Sequence, residues 1–226
     1  MMHPSPQATH FCPHKPKQRG IVLFFALIAL LVLSLAAAAL VRSVDTSTLI
    51  AGNLAFRQSA TNSADLGVEA AMTWLAATQA ANATKNVLTD STHAFNNDAA
   101  GQGYYSSVQD DKGGSPGNAD FIDLFSNATW VAAKSVLVGA DPDPTTGNTT
   151  RYIIQRLCRV KDKEIATAGC LFSGAILDIN GQHVKLPQDI CNGPGCPVAG
   201  QTPIIRVTSR VTGPKNTVSY VQAFVY

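Results

Sequence analysis

From Ile21 to Val41 the chain runs 21 residues with one polar interruption, Ser34, and no charge. At a rise of about 1.5 Å per residue, a helix of that length spans roughly 30 Å, the hydrocarbon thickness of a bilayer. The pattern predicts a membrane-spanning helix, because helices buried in soluble cores rarely run so far without a polar face. Beyond Val41 the pattern changes. Ile50, Leu54, Thr61, Ala64, Val68, Ala71 or Met72, and Leu75 recur every three or four positions, with Arg57, Gln58, Asp65 and Glu69 between them. That spacing predicts that the helix continues as an amphipathic segment over 42–77. Gly52 and Gly67 each weaken it by roughly 1 kcal/mol relative to alanine and allow bending or melting.

The last third of the chain changes period from helix to strand. Arg151–Leu157 and Leu171–Ile179 read as strands, and Ile205, Val207, Ser209 and Val211 alternate with Arg206, Thr208, Arg210 and Thr212. Such alternation predicts a half-exposed strand. Gly213-Pro214-Lys215-Asn216 makes a turn, and Val218, Tyr220, Gln222, Phe224 and Tyr226 share one face of the returning strand. The expected fold class is therefore α+β: a long N-terminal helix, then a head over 78–226 built on a C-terminal antiparallel sheet. Residues 78–150 are rich in Asn, Thr, Asp, Gly and Ala, with a turn-forming stretch at Asp111–Gly117 and two short apolar pieces, Phe121–Phe125 and Trp130–Val138, that read as strands.

Composition adds compartment and orientation. Hydrophobic residues make up 46 % of the 226 and charged ones 14 %, which excludes a disordered polyelectrolyte. The net charge of +2 is confined to the N-terminal tail, where Lys15, Lys17 and Arg19 stand without an acid; the remainder carries 14 basic side chains against 15 acidic ones. Nothing is left for a phosphate-binding face, so nucleic acid is not an expected partner. Basic residues ahead of the span keep residues 1–20 cytoplasmic and export the rest. Cysteine usage agrees. Apart from Cys12 in the tail, Cys158, Cys170, Cys191 and Cys196 lie in the last third. An even number in an exported domain points to two disulfides. Of three connectivities, Cys158 with Cys170 and Cys191 with Cys196 is the local choice.

The junction before the span is informative. A basic leader ends in Gln18-Arg19-Gly20, and the apolar helix begins at once with Ile21. A secretory signal has a shorter apolar core and a small-x-small cleavage site. The junction resembles instead the class III leader of type IV pilins and pseudopilins. The resemblance implies cleavage after Gly20 by a prepilin peptidase and N-methylation of Ile21, with 1–20 as leader and 21–41 as the transmembrane half of the helix. Family members usually carry glutamate at the fifth mature position, which here is Phe25. A carboxylate buried in a fibre core is costly unless paired with a neighbour's ammonium. A chain lacking it suits a minor, tip-associated subunit better than a bulk repeat. QRGIVLFFALIALLVLSLAAAALVRS followed by LIAGNLAFRQSATNSADLGVEAA is similar to the N-terminal module of PilX-type pilus assembly proteins, over roughly residues 18–72, and the C-terminal hairpin is close to their C-terminal end. The family implies a structural role in priming pilus assembly at or near the fibre tip. It also implies partners: other minor pilins, the major pilin, the assembly platform, the prepilin peptidase and a tip adhesin. The expected site is the inner membrane with the head in the periplasm, and then the assembled pilus. The alternatives are a K-like pseudopilin of type II secretion, whose large inserted helical domain is not expected in a chain of this length, and a membrane-anchored periplasmic binding protein.

Other chemistry is weakly signalled. The four cysteines lack paired C-x-x-C spacing, so no zinc site is expected. Asp141-Pro142-Asp143-Pro144-Thr145-Thr146-Gly147-Asn148 places oxygens in one loop but lacks the distant glutamate of an EF-hand, and reads as a turn. Asn82, Asn127 and Asn148 begin glycosylation triplets that read as chance matches in an Asn/Thr-rich chain. No nucleophile-elbow, zincin, P-loop or dinucleotide fingerprint occurs, and His93 and His183 stand alone. Neither an enzyme nor a cofactor is expected.

Overall fold

Sixty-one consecutive residues, Ile21–Ala81, form one helix, α1, unbroken through both Gly52 and Gly67 and running past Ala77. The computed structural model describes residues 20–108, 122–214 and 217–226. The expected leader before Gly20, the turn expected at Asp111–Gly117 and residues Lys215 and Asn216 of the expected hairpin turn lie outside the described residues. The chain divides into two units, residues 1–53 and 54–226. The first contains the apolar part of α1.

In the second unit a mixed sheet carries the core. Its strands are β1 (Tyr104–Tyr105), β2 (Val136–Val138), β3 (Thr149–Arg156), β6 (Ile205–Gly213) and β7 (Thr217–Val225). Between β3 and β6 lie a single helical turn, α2 (Ile165–Ala168), and a separate pair, β4 (Phe172–Ser173) and β5 (Thr202–Pro203). β3, β6 and β7 are antiparallel neighbours, as the alternation predicts. The other edge of β3 is shared. β2 pairs antiparallel with Thr150–Tyr152, whereas β1 pairs parallel with Ile154 and Gln155. The sheet is therefore mixed, not purely antiparallel. A two-residue strand has no period to read, and its direction is set by how the chain returns after α1.

The C-terminal half of α1 covers one face of the sheet. Its buried positions are Ala60, Ser63, Ala64, Gly67, Ala71 and Leu75. Of the predicted stripe Ala64, Ala71 and Leu75 are buried, but Ile50, Leu54 and Thr61 are exposed, and Ala60, Ser63 and Gly67 face the sheet instead. Small side chains let helix and strands approach closely. A Cβ on Gly67 would lie 2.2 Å from Ser209 Oγ and 3.0 Å from Thr150 Cγ2. Glycine is thus a fitting requirement at this position, not the weak point the sequence suggests. Ala60 and Ala64 pack with Val211, while Ala71 and Leu75 join Phe95, Tyr104, Tyr152, Ile154 and Val207.

The opposite face is covered too. Tyr105, Ile122, Trp130 and Ile153 form a second cluster, joined by Leu124 and Tyr220. Hence Thr208 is as buried as Val207, whereas Arg206, Arg210 and Thr212 on that face of β6 stay partly exposed, as the alternation predicts. The residues that form this cover follow no strand period. From Trp130–Val138 only Val136–Val138 is a strand, Ile122–Phe125 is not extended pairing, and Asn127–Thr129 is a 3-10 turn. Leu171–Ile179 is likewise a strand only at Phe172–Ser173. Gly174 then takes φ +70°, a conformation that favours glycine, and the chain leaves the ladder. Leu171, Ile176, Leu177 and Ile179 remain exposed.

Candidate functional site

Gly20 occupies the turn ahead of α1, and Ile21 is its first helical residue. Phe25 follows one turn later, exposed, with its ring edge-on to Phe24 at 6.4 Å. From Ile21 to Val41 every large apolar side chain is exposed, and the helix is long and apolar enough to cross a membrane. An apolar surface of this size has no stable place in water. The one polar side chain of the segment is already satisfied: Ser34 donates its hydroxyl to the Leu31 carbonyl at 2.8 Å. In hydrocarbon such internal pairing is what a spanning backbone needs.

The predicted cysteines lie in the second unit and pair locally. Cys158 is bonded to Cys170 and Cys191 to Cys196. The first bond joins the exit of β3 to the chain entering β4, through an isolated antiparallel bridge. The second closes a small loop in the 174–201 excursion, which Asn86 ties back by donating to the Ile190 carbonyl at 3.0 Å. The Asp141–Asn148 segment is a turn built by its own side chains. Asp143 accepts the amides and hydroxyls of Thr145 and Thr146, and the Thr145 hydroxyl first of all holds its carboxyl down to about 2. Asn148 fastens this turn to α1, donating to Ser59 at 3.1 Å and Ser63 at 2.9 Å.

Two buried polar residues carry more of the head's organisation than their sequence context suggests. Arg156, the last residue of β3, is 1 % exposed. Its guanidinium donates to Ser106 O at 2.8 Å, Asn96 Oδ1 at 2.5 Å and Lys163 O at 2.7 Å. Burial depresses its pKa, opposed by Tyr104, Asp98 and Asp162. One side chain thereby joins the segment after α1, the segment after β1 and the α2 approach. Asp98 adds to this by accepting the Ser106 amide and hydroxyl. His93 is fully buried. Its Nδ1 accepts the Phe95 amide at 3.1 Å, so it caps a 3-10 turn, and its ring lies 5.4 Å from Phe95. Burial lowers its pKa below the usual histidine value, with Lys85 acting in the same direction. His93 is thus a structural cap. His183 is exposed and sits in an isolated bridge with Leu177. Among the described residues no group of three or more His, Cys, Asp or Glu side chains converges as a metal site.

These features define a class: a disulfide-bonded α+β head whose first helix is continuous with a segment able to span a membrane. No family model, no characterised protein and no solved structure matches the chain.

Proposed function

We propose that this chain is a minor type IV pilin of the PilX type. Prepilin peptidase removes residues 1–20, and mature Ile21 becomes the N-methylated end. The protein waits in the inner membrane with its head in the periplasm. Extracted by the assembly platform, it helps prime the fibre and sits at or near the tip, contacting other minor pilins, the major pilin and a tip adhesin. The observation that carries this reading is the Gly20–Ile21 junction standing at the first residue of a single 61-residue helix. That helix is apolar in its first half and seats a seam of small residues on the sheet in its second. Phe25 supports the minor role, since no carboxylate is present there to meet a neighbour's ammonium. The two local disulfides suit an oxidising compartment.

The test is the N-terminal residue and intact mass of membrane-extracted protein, with and without prepilin peptidase. The expected product begins at N-methyl-Ile21 only when the peptidase is present. An intact 1–20 tail under both conditions would refute the reading and reduce the span to a plain anchor. Deleting the gene is expected to reduce surface pili; loss of protein secretion with normal piliation would assign the chain to type II secretion instead.

A further inference from the structure

On the face of the sheet away from α1, Arg151 of β3 and Arg210 of β6 stand directly opposite each other in the antiparallel register. Thr149 and Thr212 form the next pair on the same face. Like charges facing one another across strands are unfavourable unless something of opposite sign joins them. Among the described residues neither guanidinium has a carboxylate partner. Arg151 donates to the Ser135 carbonyl at 3.2 Å and hydroxyl at 3.4 Å. Arg210 donates to Asn127 Oδ1 and lies over the rings of Trp130 at 5.7 Å and Tyr220 at 6.0 Å. Its Nε is buried without a hydrogen-bond partner. Both side chains are thereby held in place with donors to spare, since a guanidinium carries five.

Both arginines line an open cleft of about 430 Å³, together with Thr149, Thr212, Trp130 and Asp141. Asp141 accepts the Thr149 hydroxyl on Oδ1 at 2.7 Å. Two cations and one anion leave one net positive charge, which suits a single carboxylate better than a dianion. The surroundings are apolar and accessible. Phe125 is 84 % exposed with its ring 5.8 Å from Tyr220, and Val131 is 44 % exposed. Arginine held on tryptophan and tyrosine, rimmed by exposed apolar groups, is the composition of interface anchors. Paired guanidinium forks match the planar geometry of a carboxylate.

We infer that the Arg151–Arg210 cleft binds the carboxylate of an acidic side chain, flanked by apolar residues, on a partner protein. The inference rests on the head alone and stands whether or not the chain is a pilin. The test uses the full chain in detergent micelles and a fluorescein-labelled peptide, Ser-Leu-Glu-Phe-Ser, read by polarisation. Saturable binding is expected, weakened about tenfold or more when glutamine replaces the glutamate. Arg151→Gln and Arg210→Gln are each expected to weaken binding about tenfold, with the lysine variants intermediate because they keep the charge and lose the fork. Val131→Glu, at an exposed position, keeps the fold and places a competing carboxylate at the cleft, so it abolishes binding. Equal affinity for the glutamate and glutamine peptides would overturn the inference. So would unchanged affinity in Val131→Glu, or inorganic phosphate or oligogalacturonate occupying the cleft at lower concentration than the peptide.

Discussion

Gly67→Ala sets two opposed effects against each other at the seam between α1 and the sheet. In an exposed helix the change would stabilise by about 1 kcal/mol, because alanine loses less backbone entropy than glycine. Here the new Cβ meets Ser209 Oγ at 2.2 Å, Thr150 Cγ2 at 3.0 Å and Ser209 Cβ at 3.1 Å. Rotation of the Ser209 hydroxyl relieves the first contact without breaking a hydrogen bond, since that oxygen has no partner. The other two remain several tenths of an ångström too close, and the helix has to lift from β3 and β6. Overpacking of this kind costs typically 1–3 kcal/mol, so the net expectation is a loss of about 1 kcal/mol, or a Tm lower by about 2–4 °C. Ser209→Ala alone is expected to be neutral or stabilising, because it removes a buried hydroxyl with no partner. In that background Gly67→Ala is expected to cost about as much, because the Thr150 Cγ2 and Ser209 Cβ contacts remain and the two changes add. Thermal unfolding of the full chain in detergent, followed by tryptophan fluorescence, reads the cycle; Trp74 packs against the same core cluster. A Gly67→Ala protein as stable as or more stable than the parent would refute the close approach and leave helix propensity as the only effect.

Arg156→Met is expected to destabilise the head by about 3–5 kcal/mol, because it strands Asn96 Oδ1 and two carbonyls in the interior; the check is the yield of folded, protease-resistant protein. For His93 the pKa is lowered in the folded state from 6.5, so the unfolded chain binds more protons as pH falls below that value. Stability should therefore be full above pH 6.5 and decline as pH drops toward the folded-state pKa, and His93→Asn should flatten this part of a Tm–pH curve. Separate removal of the disulfides should cost about 3 kcal/mol for Cys158–Cys170 and about 2 for Cys191–Cys196, following their separations of 12 and 5 residues. Non-reducing peptide mapping should recover these two links and no crossed pair.

The one-dimensional features were legible in the sequence because they are periodic or local. A charge-free run over Ile21–Val41 fixes a spanning length whatever surrounds it, and alternation over Ile205–Thr212 fixes a strand. Cysteines close in the chain meet at little entropic cost, so the local pairing was readable as well. What tertiary structure decided was which surfaces meet. Beside the predicted Ala64, Ala71 and Leu75, the helix presents Ala60 and Gly67 to the sheet while Ile50 and Leu54 stay exposed, since the fit depends on the distance between backbones, which hydrophobicity does not encode. Segments of irregular backbone around Ile122 and Trp130 cover part of the second face, burying Thr208 while Arg206, Arg210 and Thr212 beside it stay partly exposed. Arg156 and the Arg151–Arg210 pair were invisible for the same reason. A charged residue in a strand reads as solvent-facing until the folded chain shows what closes over it, or what stands opposite.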